Sequence, residues 1–510
     1  MVAGRWRAGL TPKCYACVKA VPGPRMLTIV IEQGVKVCVA ADLGSMTTYV
    51  LLEQEDWFEQ EMSFVRALAR PGMRMLDVGA NHGVYALTFA HGLRGSGHVW
   101  AFEPTSEPFG FLSRGIQANG FGGVATPVQF GLSNCSRQAE IGISTTSELN
   151  SLHTRSGRTE LVRLETLDTV APALWGGRAI DFVKLDAEGE EIGILEGGRG
   201  FLSKQSPLIM FELKHGDTVN EGLLAKLIHL GYGLYRLVPG LNLLVPVEPA
   251  GPFDGFQLNL FAAKPDCALA LNQRGLLSLD ASSSSPATGS KEWEIELGRL
   301  PFSAPALAAW KANMSASGSD AEEHRVALNA YLSALDPKQA PEARVALLTR
   351  SAAAWERLSQ RTPGKLSFGV CLARARYDLG QRAAAIELLK RVAQTVLTAP
   401  PEAYSLPFLP PLAAFDARPV VGTHDDWLKI CLLEAGESWR AFSSFFDPST
   451  AKRLQSIIGN GNLSAGMRRR ILLSAHRSGI SLPGTALRAL QQEAPDNRNA
   501  WFWRELSPST

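Results

Sequence analysis

Leu76-Asp77-Val78-Gly79-Ala80-Asn81-His82-Gly83 is the stretch from which the rest of the chain is read. A short apolar run, Met75 to Val78, enters a turn with two glycines. Apolar positions at helical spacing follow it: Val84, Leu87 and Phe89. This is a strand passing abruptly into a helix, with Gly79 allowing close backbone approach to a ligand and Gly83 allowing the helix to pack tightly. The same alternation recurs downstream. A second strand over His98-Val-Trp-Ala-Phe102 ends at Glu103-Pro104 and a helix spans 109–119. A third strand at 127–130 runs into Gly131-Leu132-Ser133-Asn134. A fourth at 181–185 is followed by Asp186-Ala187-Glu188-Gly189-Glu190 and a helix through Ile192 and Leu195. A fifth at 208–211 precedes Glu212, a helix covers 223–230, and strands near 234–237 and 258–261 close the region. Alternation of this kind predicts a mostly parallel sheet covered on both faces.

Upstream, residues 28–31, 35–39 and 47–50 read as short antiparallel strands with a turn at Gly34. Residues 53–68 read as one helix with Trp57, Phe58, Met62, Val65 and Leu68 on its apolar side, stopping at Pro71-Gly72. Downstream, 281–290 (Ala-Ser-Ser-Ser-Ser-Pro-Ala-Thr-Gly-Ser) reads as a flexible linker and 313–319 as a second one. Beyond Asp320 the pattern is helical. Ala373, Tyr377, Leu379-Gly380, Ala385-Ile386 and Leu389 resemble one tetratricopeptide helix pair, with a plain bundle as the alternative. The basic run Arg468-Arg469-Arg470 reads as a solvated helix face. The expected organisation is an extension over 1–26, strands and a leading helix over 27–74, an α/β domain over 75–275, a linker over 276–320 and a helical domain over 321–510.

The 510 residues are too many for one ordinary core. Apolar residues at 45% and charged residues at 20% exclude a largely disordered chain. The net charge of +2 gives no reason to expect nucleic acid or an anionic membrane as partner. From Asp320 onward there are 24 basic and 18 acidic residues, against 27 and 31 before it, so two separate modules of about +6 and −4 are expected. Seven cysteines, with a lone pair at Cys14 and Cys17, make no disulfide framework and no zinc site. No apolar run is long enough to span a bilayer and the first 25 residues lack a signal-peptide core, so a cytoplasmic protein is expected, starting at Met1 or at Met26.

Acidic and polar residues collect where the strands end: Asp77 and Asn81, Glu103, Asn134, Asp186 and Glu212. In an open α/β sheet ligands bind beyond those ends. The first loop has no Gly-Lys-Ser/Thr, so it is no P-loop, and its Gly-x-x-x-Gly spacing disfavours a dinucleotide. Glu103, about 25 residues past Gly79, stands where a carboxylate accepts both hydroxyls of an adenosyl ribose. A ligand with a ribose and a cationic amino-acid tail suits this loop, and S-adenosyl-L-methionine is such a ligand. For transfer of its methyl group to an oxygen, Asp186, Glu188 or His215 is the candidate proton acceptor. Local roles compete with these. Glu188 can serve a helix dipole, Glu212 can orient the pocket, Asp168 can cap a helix, and Asn134 can meet adenine or close an Asx turn. His82 reads as solvated or structural, and Lys184 as pointing to a helix-covered or solvent face. No metal site is expected, because no His pair or Cys cluster appears.

Five ordered pieces resemble FkbM-family methyltransferases: residues 76–83, 101–104 (Ala-Phe-Glu-Pro), 165–168 (Glu-Thr-Leu-Asp), 181–190, and Phe211-Glu212. Trp57-Phe-Glu-Gln-Glu61 fits that family's leading helix, and the resemblance covers roughly residues 53–264. It implies the Rossmann-like, class I seven-stranded methyltransferase fold, here followed by an all-α domain. It also implies S-adenosylmethionine over the strand ends, with Asp77, Gly79, Asn81 and Gly83 on the methionine tail, Glu103 on the ribose and Asp186 facing the methyl group. The implied activity is O-methylation, often of a sugar or natural-product hydroxyl. The competing reading is a scaffold with a degenerate enzyme domain, in which the helical half docks a protein partner.

Overall fold

The computed structural model describes residues 26–144, 158–215, 218–280, 290–316, 318–396 and 405–506, His215 by its backbone alone. Cys14 and Cys17, the rest of the extension before Met26, residues 145–157 and most of the 281–290 linker lie outside the described residues.

The chain opens with an antiparallel hairpin of β1 (Met26–Val30) and β2 (Lys36–Ala40), then helices α1 (Met46–Gln54) and α2 (Glu61–Leu68). The α/β part follows: β3 (Arg74–Val78), α3 (Val84–Gly92), β4 (His98–Phe102), α4 (Ser106–Asn119), β5 (Ala125–Val128), β6 (Gly131–Leu132), β7 (Arg137–Gly142), β8 (Thr159–Glu165), α5 (Leu167–Trp175) and β9 (Phe182–Leu185). Then come α6 (Glu191–Gly197), α7 (Arg199–Lys204), β10 (Leu208–Glu212), β11 (Lys214–His215), β12 (Thr218–Val219), α8 (Glu221–His229), β13 (Gly233–Val238), β14 (Leu243–Pro246) and β15 (Asn259–Ala263). The main sheet has the order β14-β13-β15-β10-β9-β3-β4-β5. Its pairs from β5 through β10 are parallel, and β15, β13 and β14 add on in antiparallel fashion. Seven of these strands make the expected Rossmann-like methyltransferase sheet. The eighth, β14, extends the edge.

Side-chain alternation along the strands divides the interior in two. Met75, Val99, Ala101, Phe182, Met210 and Phe261 face the core under α1–α3. Leu76, Val78, Trp100, Phe102, Val183 and Phe211 face the core under α5–α8. Local signals end the helices where the sequence allows it. Thr166 Oγ1 accepts from Thr169 N–H (3.1 Å) at the start of α5, and Asn220 Oδ1 accepts from Leu223 N–H (3.1 Å) at the start of α8.

Three readings are corrected here. Residues 47–50 belong to helix α1, with Thr47 through Glu53 all buried, and the long helix expected over 53–68 is two helices broken at residues 55–60. A helix enclosed on all sides shows no amphipathic period, and the β-branched Thr-Thr-Tyr-Val run then imitates a strand. The stretch 313–319, read as a linker, holds the end of α11 and the start of α12.

The helical part comprises α9 (Pro265–Gln273), α10 (Trp293–Gly298), α11 (Leu307–Ala316), α12 (Ser319–Ala334), α13 (Pro341–Arg361), α14 (Leu366–Asp378) and α15 (Arg382–Val396). It ends with α16 (His424–Arg440), α17 (Thr450–Leu454), α18 (Ala465–Ser478), α19 (Gly484–Arg488) and α20 (Ala500–Glu505). Each of α12 to α15 packs on the next, and α14–α15 is the helix pair read from Ala373 to Leu389. This part does not stand apart from the sheet. Val238, Leu241, Leu243 and Val245 of the β13–β14 edge share a core with α12–α18, and Leu473, Leu490, Phe502 and Trp503 join the core of β1–β2 and α1–α3.

Buried polar contacts fasten the same seam. Asn499 exchanges hydrogen bonds of 2.8 Å with the N–H and carbonyl of Val30 in β1. Glu55, fully buried, accepts from the backbone N–H groups of Arg498 (2.7 Å) and Asn499 (2.8 Å). Glu53 accepts from Ser444 N–H (3.0 Å), and its own carbonyl accepts from Arg469 Nε (2.9 Å). Arg469 and Arg470 are therefore buried, not the solvated face expected for them, with Glu55 and Glu53 as their charge partners at 3.8 and 3.6 Å.

Candidate active site

The loop after β3 is shaped by backbone geometry that only small residues accept. Gly79 (φ 78°) lies so close to the β9 end that an added Cβ would sit 1.7 Å from the Asp186 carbonyl oxygen. Gly83 (φ 82°) lies against Leu112, 2.5 Å from where a Cβ would be, which lets α3 pack onto α4. Between them Asn81 also has positive φ (48°), and its backbone N–H donates to Glu103 Oε2 (3.0 Å). Glu103 Oε1 accepts from the Thr105 N–H (2.8 Å) and hydroxyl (2.5 Å). Glu103 thus joins the first two strand ends while buried. Burial raises its carboxyl pKa, and the three hydrogen bonds oppose that.

The expected residues Asp77, Gly79, Asn81, Gly83 and Glu103 come together on this rim. Asn134 does not join them. It lies after the short β6, on the surface, where its Oδ1 accepts from Ser133 Oγ (3.3 Å) and Arg137 (3.4 Å) beside α6. Asp168 caps a different helix from its own, accepting from Gly200 and Phe201 N–H (2.9 and 2.6 Å) at the start of α7. His82 is buried rather than solvated. It stacks on Phe111 with ring centroids 5.2 Å apart, and burial lowers its pKa to about 4, so the ring is neutral. The side chain of His215 lies outside what the structure describes.

Strand register reveals a cluster below the rim. Asp77 and Lys184 are direct cross-strand partners in β3 and β9, and Glu212 is the partner of Asn259 across β10 and β15. All lie on the sheet face that α2 and α3 cover. Lys184 Nζ pairs with Asp186 Oδ2 (2.7 Å) and sits 5.0 Å from the centre of the Tyr85 ring. The Tyr85 hydroxyl donates to Glu59, whose Oε2 also accepts from Asn259 Nδ2 (3.1 Å). Lys184 thus takes the helix-covered alternative for its face, but as the cation of the site. Both carboxylate oxygens of Asp77 are buried, and among the described residues neither meets a donor in good hydrogen-bond geometry, although the Ala86 backbone N–H is near enough to lower its pKa.

One lysine among so many carboxyls leaves them hard to ionise. Desolvation raises Asp77 to about 6, with Lys184 opposing and Asp186 adding to the rise. Desolvation, then the charges of Asp186 and Glu188, push Glu212 to about 9. Glu61 rises to about 8 through burial and the neighbouring charge of Glu59. The loop after β9 is held by Glu191, whose Oε1 accepts from Ala187 N–H (2.9 Å) and Gly189 N–H (3.1 Å), with Glu188 (φ 50°) at the turn's apex. Lys184, Tyr85, Glu59 and Glu61 were not singled out from the sequence as site residues. The available signal was a lysine in an otherwise apolar parallel strand, which has no solvent face to point to.

The sequence model of the Methyltransferase FkbM domain matches residues 77–234. Residues 77–234 are thus similar to an FkbM methyltransferase domain. The match begins at Asp77 and takes in the rim, the β9 loop and Glu212, and it leaves out α2, β15 and all of the helical part. Among solved structures, the FkbM methyltransferase of Methylobacillus flagellatus KT is 18% identical, with a TM-score of 0.29 over 44% of this chain and 56% of its own. The chain therefore spans little more than half of that relative. A SAM-dependent O-methyltransferase of Thermotoga maritima is 15% identical over 40% of this chain and 64% of its own, with a TM-score of 0.23. TYW2 of M. jannaschii, solved in complex with AdoMet, is 12% identical over 49% of this chain and 90% of its own, with a TM-score of 0.26. No curated protein matches the chain. Among the described residues no group of three or more His, Cys, Asp or Glu is placed to hold a metal ion, and no helix is long and apolar enough to cross a membrane.

Proposed function

We propose that this protein is an S-adenosylmethionine-dependent O-methyltransferase acting on a hydroxyl of a sugar or natural product. The observation that carries the reading is the carboxylate of Asp77, buried with neither oxygen meeting a donor in good hydrogen-bond geometry, beneath a loop whose glycine lies against the opposite strand end. An orphaned buried carboxylate costs free energy unless a cationic ligand meets it. The surrounding carboxyls, raised by desolvation and by one another, make the same demand for positive charge. S-adenosylmethionine fits: its ammonium and sulfonium are cationic, and its ribose hydroxyls suit Glu103, whose Oε2 accepts the Asn81 N–H at the rim.

When bound, this group supplies a methyl carbon made electrophilic by the sulfonium. The residues of the chain do the rest. Gly79 admits the ligand's tail, and Asp77 and the Asn81 loop hold it. Lys184 holds Asp186 at 2.7 Å so that this carboxylate could take the acceptor's hydroxyl proton while the acceptor oxygen bonds the methyl carbon and the bond from that carbon to sulfur breaks. Glu188, at the apex of the neighbouring turn, is the second candidate, and His215 remains a third on the strand after Glu212. Isothermal calorimetry with S-adenosylmethionine tests the reading. Micromolar binding by the wild type and a loss of at least tenfold in Glu103→Ala are expected. No heat with the wild type, or unchanged affinity in the variant, refutes it.

A further inference from the structure

The rim lies where β3 and β4 end; a solvent-facing hollow opens where they and β5 begin. Its volume is about 580 Å³, and Arg74, His98, Trp100, Thr126, Leu174 and Arg178 are among the residues that line it. Arg74 and His98 are direct cross-strand partners at the feet of β3 and β4, and Trp100 and Thr126 are partners across β4 and β5. Alternation puts all four on the sheet face that α5 covers. Leu174 in the last turn of α5 and Arg178 in the turn after it complete the hollow from above. The two strand feet are drawn together at Gly97 (φ 117°), where an added Cβ would lie 2.2 Å from the Met73 carbonyl oxygen.

We propose that this hollow binds a small-molecule phosphate monoester, with the phosphate held by Arg74 and Arg178 beside His98. The site lies at the opposite ends of the strands from the cofactor rim, and it stands or falls independently of the methyltransferase reading.

Three observations carry it. First, the hollow holds two cations and no anion. Among the described residues neither the Arg74 nor the Arg178 guanidinium makes a hydrogen bond or an ion pair, and no carboxylate lines the hollow. Asp181, just ahead of β9, gives its Oδ2 to the Arg74 backbone N–H (2.8 Å) and not to the guanidinium. An anion seated between the two arginines removes their mutual repulsion and gains both attractions. Second, both arginines act on one point. The His98 ring, with Nε2 2.8 Å from Thr126 Oγ1 and its centre 4.4 Å from that of Trp100, has its pKa lowered by burial and then by the charges of Arg178 and Arg74. The charges that reach it from β3 and from the turn after α5 are both positive, so the floor of the hollow favours a negative group. Third, size and charge select the ligand. A hollow of about 580 Å³ is of small-molecule size and many times the ~30 Å³ share of one water, so the anion is the head of a larger molecule. Trp100 and Leu174 supply apolar surface for its body. A phosphate monoester carries close to two negative charges near neutrality and matches two guanidinium forks, where a carboxylate matches one.

Calorimetric titration of the full chain tests this with glucose 6-phosphate and ribose 5-phosphate. Inorganic phosphate, acetate, glucose and ribose are the comparisons. At least one ester should bind, more tightly than inorganic phosphate, acetate or either free sugar. Arg74→Gln and Arg178→Gln should each weaken that binding by roughly tenfold, the worth of one charge-assisted contact. Arg391→Gln, an exposed arginine of α15, should leave it unchanged. Arg178→Gln, on the surface, keeps the test open should Arg74→Gln not fold. NMR of histidine-labelled protein supplies a second reading: the bound ester offsets the two arginines, so the His98 ring should titrate at higher pH in its presence. No binding of either ester overturns the proposal, as does inorganic phosphate, acetate or a free sugar bound as tightly. Unchanged affinity in the folded arginine variants, or a His98 titration that the ester does not move, overturns it too. None of these measurements involves S-adenosylmethionine, so their failure leaves the methyltransferase reading where its own titration puts it.

Discussion

Gly79→Ala tests the site at its tightest point. The added methyl group would lie 1.7 Å from the Asp186 carbonyl oxygen, where ordinary contact begins at 3.4 Å. The β9 loop must therefore retreat by roughly 1.5 Å, because an overlap that deep is not tolerated by any rotamer change. Backbone atoms oppose one another here, so no flexible side chain can absorb the displacement. Alanine at φ 78° adds about 1–2 kcal/mol of its own. The retreat carries Asp186 away from Asp77 and from the cofactor loop. Misplacing a site by about 1 Å costs on the order of 10²-fold, equivalent to about 2.7 kcal/mol. Calorimetric titration with S-adenosylmethionine should then show affinity at least 10²-fold weaker. Gly231→Ala is the control: its φ is 86° with nothing within 4 Å of the added carbon. It should lose the same 1–2 kcal/mol in urea unfolding and bind the cofactor as wild type does. If Gly79→Ala binds within about threefold of wild type, the close approach of the two strand ends is not what shapes the site.

Lys184→Met keeps the bulk of the side chain and removes its charge. Asp186 is about one-third exposed, so the loss should be about 2–3 kcal/mol, below the 3–5 of a fully buried pair. Cofactor affinity at pH 7 should fall and partly recover at pH 9, in a calorimetric pH series, as the carboxyls ionise without Lys184. A second prediction follows from Glu212 near 9 and Asp77 near 6. A cationic ligand favours the carboxylates, so binding at pH 7–8 should release about 0.5–1 proton, read as different heats in phosphate and Tris buffers. Proton uptake would contradict it. Because these folded-state values are raised, the stability they confer is complete below the unfolded values near 4. It should decline as pH rises through 6 to 9, seen as a falling urea midpoint of the free protein that the cofactor restores. Finally, Asn499→Ala removes both bonds to Val30 and one to Glu55, a loss of about 2–5 kcal/mol. Amide exchange should accelerate in β1 and β2, at the opposite end of the sequence, and exchange unchanged there would refute the coupling.

The parallel strands were legible because strands buried on both faces are continuous apolar runs, and each was followed by a turn residue and a helical period. The rim was legible for the same reason: Asp77, Glu103 and Asp186 each stand at the end of such a run. What could not be read was pairing. Asp77 meets Lys184 only because β9 inserts beside β3, and that order is a property of the sheet, not of either segment. Glu59 and Glu61 lie ahead of the first strand, and only the fold of α2 onto the sheet brings Glu59 beneath Tyr85. Asn134 failed in the opposite sense. Its strand ends early, and β6 leaves the main sheet to pair with β8, carrying Asn134 off the rim.

The charge asymmetry has the same origin as these failures. The acidic part before Asp320 and the basic part after it looked like two modules, each with its own surface. The structure instead spends several of those charges on the seam between them. Glu32, Glu53 and Glu55 come from the first part, and Arg469, Arg470 and Arg498 from the second. Four of the six are buried. A buried carboxylate stripped of its partner costs far more than an exposed one. The two parts are therefore bound to fold together, and a chain cut at the 281–290 linker would expose the apolar edge of β13–β14 as well as uncompensated Glu53 and Glu55. This argues against a helical half that merely tethers an independent enzyme to a partner. A docking arm is free to separate from the domain it serves, whereas these helices complete the core beneath α1 and share another with the β13–β14 edge. Their position makes them part of the same folded unit as the sheet, and any partner they recruit must do so from the faces that remain exposed.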